Sequence, residues 1–299
     1  MSSVGACTGD AATERLADAY DKAYDKAYNR RGRKPVGLMR HAKQCFMNAV
    51  VQCLESSSAL CAELGRSDVP YAQDFITLTQ REEATTADVL LSGLNRAEQE
   101  DANTFLARFV ERSKAKAISA EGRWWWTCGV CRNRMIIECA DMLSVSVFVH
   151  IGIAGSLQHL LTSDPSVQTC LTCNRPTDGT AERMLDKQSP VMAVTLDRTA
   201  AGGSRGYTKN ARVFKAEERV HIGGDMYELF ALVSHKGGAS DTDPNSGHYY
   251  AHVRRGDKWW RINDEDVQEA SLDTADATLL FYRLHPVFAH GGEMSLLRA

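Results

Sequence analysis

The sequence lacks what a membrane or secreted protein needs. No apolar run approaches the ~20 residues that cross a bilayer. The best stretch, Met142 to Ala154, is interrupted by Ser144, Ser146 and His150. Met1 to Asp10 has no basic-then-apolar leader pattern. Positive charge is not in excess: 35 Lys and Arg against 38 Asp and Glu leave a net charge of −3, which argues against nucleic acid or an anionic membrane as the main partner. Proline is scarce, 7 in 299 residues, and none lies between Tyr71 and Pro165 to break a helix there. An even-numbered disulfide framework is also missing. The cysteines number 9, and four of them form two C-x2-C pairs, a pattern of metal binding plus free thiols in a reducing compartment. The expectation is an intracellular protein, cytoplasmic or nuclear.

What is present is enough apolar sequence for a substantial core, at 43% hydrophobic and 24% charged residues. Residues 1–34 read as an N-terminal extension, with Tyr20, Tyr24 and Tyr28 on one helical stripe and a short basic cluster at Asn29–Lys34. From Gly37 to about Ala120 the pattern is helical. Phe46, Ala49, Val50, Cys53 and Leu54 make one buried face of a helix beginning near Cys45, and a second helix is expected from Arg96 to Lys116 around Phe105, Leu106, Phe109 and Val110. After Gly122 alternation takes over, first at Leu143, Val145, Val147, Val149 and Ile151. Further strands are expected at Val191–Leu196, Arg212–His221, Tyr227–Ser234, Tyr249–Val253, Trp259–Ile262 and Thr278–Tyr282. A helical first half and an antiparallel second half make an α+β architecture. Pro286–Ala299 is a tail without readable chemistry.

Cys128-Gly-Val-Cys131 and Cys170-Leu-Thr-Cys173 are two knuckles 38 residues apart. Each C-x2-C turn offers two thiolates from one tight loop, and four converge on a tetrahedral Zn²⁺ at about 2.3 Å. No neighbouring His-Glu set implies an open coordination position, so a structural zinc is expected. The separation requires strands to bring the knuckles together.

Cys45 opens its helix, where unpaired backbone N–H groups favour a thiolate. A cysteine nucleophile needs a base, and the base an orienting acceptor. Gly247-His248-Tyr249 opens a strand that turns at Arg254–Lys258 into another ending at Asn263-Asp264. A two-residue Arg255-Gly256 turn opposes His248 to Asn263, a three-residue turn to Asp264, and a Gly256-Asp257 turn to Glu265. Each supplies an acceptor, and the choice stays open.

Together these segments resemble the ubiquitin-specific protease family over roughly Pro35 to His285. Gly37-Leu38 through Cys45-Phe-Met-Asn48-Ala-Val-Val-Gln52-Cys-Leu54 is similar to the family's cysteine box, and Gln99-Glu-Asp101-Ala-Asn-Thr-Phe105-Leu106 to the helix beside the ubiquitin tail. The knuckles fit its fingers. Tyr227–His235 with Ser246-Gly-His248-Tyr-Tyr-Ala-His-Val253 is similar to the histidine box, and Trp259-Trp-Arg-Ile-Asn263-Asp264-Glu-Asp-Val267 to the segment of the third catalytic residue. The resemblance implies a papain-like cysteine protease in residues 35–285. A helical thumb would cover about 37–118, with zinc-bearing fingers and an antiparallel palm in about 119–285, and a tail would follow at 286–299. It implies Cys45 as nucleophile, His248 as base, Asn263 as orienter with Asp264 beside it, and Asp101 and Tyr249 as holders of a basic Gly-Gly tail. The partners implied are ubiquitin or a ubiquitin-like modifier and the proteins that carry it.

One departure stands out. Where the family has an oxyanion Asn five residues before the nucleophile, this chain has Arg40, followed by His41-Ala42-Lys43-Gln44. Losing such a donor costs about 100- to 1,000-fold in rate. Arg40 and Gln44 are the substitutes at hand, and the alternative is a module that grips the modifier and turns over poorly.

Overall fold

The computed structural model describes residues 34–41, 43–91, 100–118, 120–142, 144–148, 157–158, 163–187, 189–201, 207–209, 215–222, 225–237 and 247–285. The Tyr20–Tyr28 stripe, the start of the helix expected from Arg96, Val149–Ile153, most of the Lys236–Gly247 loop and the 286–299 tail lie outside them.

Helices come first. α1 is Cys45–Leu54, α2 Ser58–Leu64, α3 Pro70–Thr79 and α4 Ala102–Ser113, with a 3-10 turn at Asp88–Leu91. Local chemistry sets their ends. Ser57 caps α2 by accepting the Leu60 N–H, Pro70 occupies the first turn of α3, and Asp101 caps α4 through the N–H groups of Asn103 and Thr104. Lys114, left-handed at φ 56°, closes α4. Phe46, Phe75, Phe105 and Phe109 pack edge-on or tilted at 5.0–6.5 Å between ring centroids, joining α1, α3 and α4 in one core.

α1 departs from the amphipathic helix expected. Every residue in it is buried, including Asn48 and Gln52. It lies between the other helices on one side and a sheet on the other, and the amide nitrogens of Asn48 and Gln52 donate to protein acceptors instead of water.

Strands follow: β1 Ala120–Cys128, β2 Arg134–Met142, β3 Ser144–Phe148, β4 Ser163–Cys170, β5 Arg175–Lys187, β6 Val191–Asp197, β7 Thr199–Ala201, β8 Tyr207–Lys209, β9 Arg219–Ile222, β10 Asp225–Lys236, β11 His248–Arg255, β12 Lys258–Asn263, β13 Asp266–Glu269 and β14 Ala277–Leu284. The larger sheet runs β13-β12-β11-β10-β14-β6-β3 with β9 on β10, and only its β3–β6 pair is parallel. A second sheet runs β2-β1-β5-β4, and β7 pairs with β8. Helical thumb, large palm sheet and four-stranded fingers match the architecture that the resemblance implies.

The palm is packed on both faces. Ala231, Val233, Tyr249, Ala251, Val253 and Ile262 join the helical core, while Leu229, Leu232, Leu280 and Tyr282 form a second core behind the sheet. The end of the thumb is fixed on itself and then tied to the palm. The Glu63 carboxylate accepts the N–H groups of Lys116 and Ala117 at 2.7 and 2.6 Å, and the Ala117 carbonyl accepts Val191 N–H at 3.0 Å. Among the described residues no helix is long and apolar enough to cross a membrane.

Phe105 is fully buried where the aromatic rings converge. Phe105→Ala should destabilise the protein by about 3–5 kcal/mol, read as a lower denaturant midpoint at unchanged slope.

Candidate active site

Cys45 is 2% exposed, at the first position of α1, where the helix packs on β11. The first intrahelical bond is Asn48 N–H to Gln44 O at 3.0 Å, so the Cys45 N–H stands outside the helical ladder. Burial pushes the Cys45 thiol above its ordinary range. Backbone N–H groups of Tyr249 and Phe46 and the charge of Arg40 act the other way, while the charge of Asp264 adds to the rise. The nucleophile candidate therefore lies against the backbone of the residue that follows His248.

β11 and β12 are joined by the two-residue turn Gly256–Asp257, with Gly256 at φ 60° and Arg255 paired to Lys258. Of the turns weighed from sequence, this is the one that opposes His248 to Glu265. β12 stops at Asn263, however, because Asp264 turns the chain at φ 54° into β13. His248 instead hydrogen-bonds through Nε2 to Oδ1 of Asn263, its diagonal neighbour. With the Nε2–H directed at a carbonyl oxygen, Nδ1 keeps the lone pair. The Asp264 carboxylate stands 4.0 Å from the same Nε2. Burial raises the Asp264 pKa, against the opposing effects of its hydrogen bond from Asn48 and the charges of His248 and Arg40.

Asn48 is the functional residue that motif reading passes over. Its Nδ2 donates to Asp264 Oδ1 at 2.8 Å and to Met39 O at 3.4 Å, linking the helix of Cys45 to the turn beside His248. The sequence carries no local signal for this role, because a polar residue three positions after Cys45 on an amphipathic helix reads as solvent-facing.

Gln44 is buried, and in the amide orientation that satisfies its neighbours its nitrogen donates to Asp88 Oδ1 and His41 O, each at 3.2 Å. Its side chain is thus engaged within the thumb. Arg40 is exposed, its N–H donating to Glu265 Oε2 at 3.3 Å, and its charge acts on both Cys45 and Asp264. Asp101 divides its carboxylate: Oδ1 caps α4, and Oδ2 accepts the Tyr249 hydroxyl at 3.5 Å. Tyr249 is buried and stacked on His235, with centroids 4.2 Å apart.

The other two histidines near the strand differ from His248. His235 is buried under Gly247, where an added Cβ would sit 2.4 Å from its Nε2. His252 is also buried, and desolvation drops its pKa to about 4. Only His248 shows an edge to solvent, at 32% side-chain exposure.

Far from this site, the sulfurs of Cys128, Cys131, Cys170 and Cys173 lie within 4.8 Å of one another. The first knuckle is the β1–β2 turn and the second the β4–β5 turn, with β5 pairing both β1 and β4. The turns share one geometry: Arg132 and Asn174 are left-handed at φ 60° and 51°, with N–H bonds back to Cys128 O and Cys170 O at 3.0 and 2.7 Å. Sulfurs on a tetrahedral metal with 2.3 Å bonds stand about 3.8 Å apart. The Cys128–Cys173 and Cys131–Cys170 separations are 3.9 and 3.5 Å, so the donor set fits. Trp126, of the three adjacent tryptophans, fills the small core beneath.

A family model described as ubiquitin carboxyl-terminal hydrolase matches residues 36–282. Among curated proteins, ubiquitin carboxyl-terminal hydrolase 13 of Mus musculus and of Bos taurus are each 39% identical to this chain over 69 residues. That stretch is 23% of this chain and spans 8% of those relatives' length. Two solved structures share the fold, both of the SAGA DUB module of Ubp8, Sgf11, Sus1 and Sgf73. The one bound to monoubiquitin has a TM-score of 0.65 and the one bound to ubiquitin aldehyde 0.64. Each is 20% identical, covering 90% of this chain and 74% of the other.

The charges around Cys45 have opposite signs and predict opposite shifts. Asp264→Asn should lower the pH at which iodoacetamide alkylates Cys45, because it removes a negative charge that disfavours the thiolate. Arg40→Ala should raise it. Rate–pH profiles of alkylation, with Cys45 identified by mass spectrometry, check both directions.

Proposed function

This chain belongs to the ubiquitin carboxyl-terminal hydrolase family, and on that footing we propose that it is a cysteine isopeptidase that cuts after the C-terminal glycine of ubiquitin. The supporting observation is the meeting of two distant segments: Cys45 of the thumb against the Tyr249 backbone of the palm, next to a His248 already bonded to Asn263. In this reading residues 35–285 are the catalytic domain, with the thumb at about 37–118, the fingers and palm at about 119–285, and flanking extensions at 1–34 and 286–299. The chain works inside the cell on ubiquitin-bearing proteins.

His248 Nδ1 takes the thiol proton of Cys45, and the sulfur attacks the glycine carbonyl. The tetrahedral oxyanion faces the Cys45 N–H and the positive charge of Arg40, in place of the family's amide donor. As the C–N bond breaks, His248 returns the proton to the departing lysine amine and a thioester remains. Water, deprotonated by His248, then releases the ubiquitin carboxylate and restores the thiol. Asn263 holds the imidazole with Nδ1 toward the reaction, and Asp264 provides the negative charge that imidazolium needs. The Asp101 carboxylate, through the Oδ2 that accepts the Tyr249 hydroxyl, and Tyr249 itself hold the basic tail. Cys128, Cys131, Cys170 and Cys173 would hold a structural Zn²⁺, whose contribution would be to stabilise the fingers.

A second reading, a module that binds ubiquitin and turns over poorly, draws on two observations: the Gln44 amide is spent on Asp88 and His41, and burial holds the Cys45 thiol high. A ubiquitin probe with a C-terminal electrophile separates the two. Covalent capture abolished by Cys45→Ala is the result expected of the enzyme. Tight binding of the probe without capture by the unmutated chain would leave only the module. Separately, denaturing the protein in the presence of a metallochromic dye should release about one equivalent of zinc per chain. Cys131→Ser should release far less while leaving the palm folded.

A further inference from the structure

We propose that Arg81 is a positioning residue for the His248–Asn263–Asp264 group, acting through the extended segment Val36–Arg40; this rests on the protease reading above. The segment runs between the thumb and the β12–β13 turn, and bonds at successive residues tie it to both. Val36 O accepts Gln52 Nε2 at 3.0 Å and Arg81 Nη2 at 2.5 Å, and Gly37 O accepts Arg81 Nε at 3.2 Å. Leu38 N–H donates to Asp264 O at 3.0 Å and Met39 N–H to Thr85 O at 2.9 Å. Met39 O accepts from Asn48, and Arg40 N–H donates to Glu265.

Arg81 is itself fixed. Its Nη1 bonds Glu55 Oε2 at 2.6 Å and Leu78 O at 2.9 Å, with the two side chains 6% and 2% exposed. The other Glu55 oxygen takes Arg255 Nη2, from the end of β11, at 3.4 Å. A buried ion pair is a costly way to gain stability compared with packed apolar side chains. This one puts three different guanidinium nitrogens onto four acceptors, a geometry that only the planar fork of arginine provides.

What the strap fixes is the Asp264 turn. Gly37 lies so close to it that a Cβ would be 2.6 Å from Asp264 O and 2.7 Å from Glu265 Cα. Asp264 is held there at φ 54°, a left-handed conformation that aspartate adopts less readily than glycine. In that conformation one carboxylate oxygen meets Asn48 and the other approaches His248, while Asn263, the preceding residue, accepts from the imidazole. Arg81 thus acts on the imidazole through two carbonyls, one glycine contact and one backbone hydrogen bond.

Two variants test this. Arg81→Lys keeps the charge opposite Glu55 but cannot reach both strap carbonyls, and Gly37→Ala leaves every charge in place but pushes on the turn. In each, kcat on a ubiquitin–fluorophore substrate should fall about 100-fold with KM changed by less than about twofold. The 15N resonances of the His248 ring should also lose their Nε2–H tautomer pattern. Folded Arg81→Lys protein with the original kcat, or with the original imidazole pattern, would overturn the proposal. So would failure of Arg81→Lys to fold, which would make Arg81 a stability residue only. The imidazole spectrum needs no turnover, so an unmutated chain that cleaves nothing would fail the protease reading without deciding this one.

Discussion

The arrangement depends on keeping one helix dry on every side. α1 carries the thiol at its first position, and the same ten residues touch the thumb core, the palm strand β11 and the strap at Val36–Arg40. A helix that packs on all faces has no freedom to roll or slide, because each polar group it buries must keep its partner. The amide nitrogens of Asn48 and Gln52 find theirs in Asp264, Met39 and Val36. The bonds that make burial tolerable therefore also aim the helix at the palm.

Much of this was legible in the sequence, and the parts that were not share a cause. The order of helices before strands, the two knuckles and the His248–Asn263 hairpin follow from periodicity, C-x2-C spacing and turn chemistry, all local signals. The burial of Asn48 and Gln52 was not legible, because a polar residue on a helix reads as solvent-facing unless its distant partner is known. The fingers strands β1, β2, β4 and β5 escaped the alternation test. Their cysteines sit at turns, and their side chains do not follow a single apolar stripe. At the hairpin, sequence could offer three registers. The Gly256–Asp257 turn and the end of β12 at Asn263 then produced a diagonal contact that no simple opposition rule contains.

Asp264 shows how one side chain answers to several parts of the chain. Its conformation is set by the strap, its carboxylate by Asn48, and its electrostatic effect falls on both His248 and Cys45. The negative charge that favours imidazolium also disfavours thiolate. Arg40, positive and nearby, acts against the rise at both Cys45 and Asp264. An arginine at that position thus changes the resting state of both the thiol and the carboxyl.

The matched turns of the two knuckles have a different consequence. Each pair of sulfurs is set locally, by a hairpin and one left-handed residue. Between Cys131 and Cys170 the chain also supplies β2, β3 and β4, so a change of length over evolutionary time falls on the joins between those strands, provided that β5 still brings its two neighbours side by side. Insertions at those joins would reshape the surface of the fingers while leaving the four cysteines together.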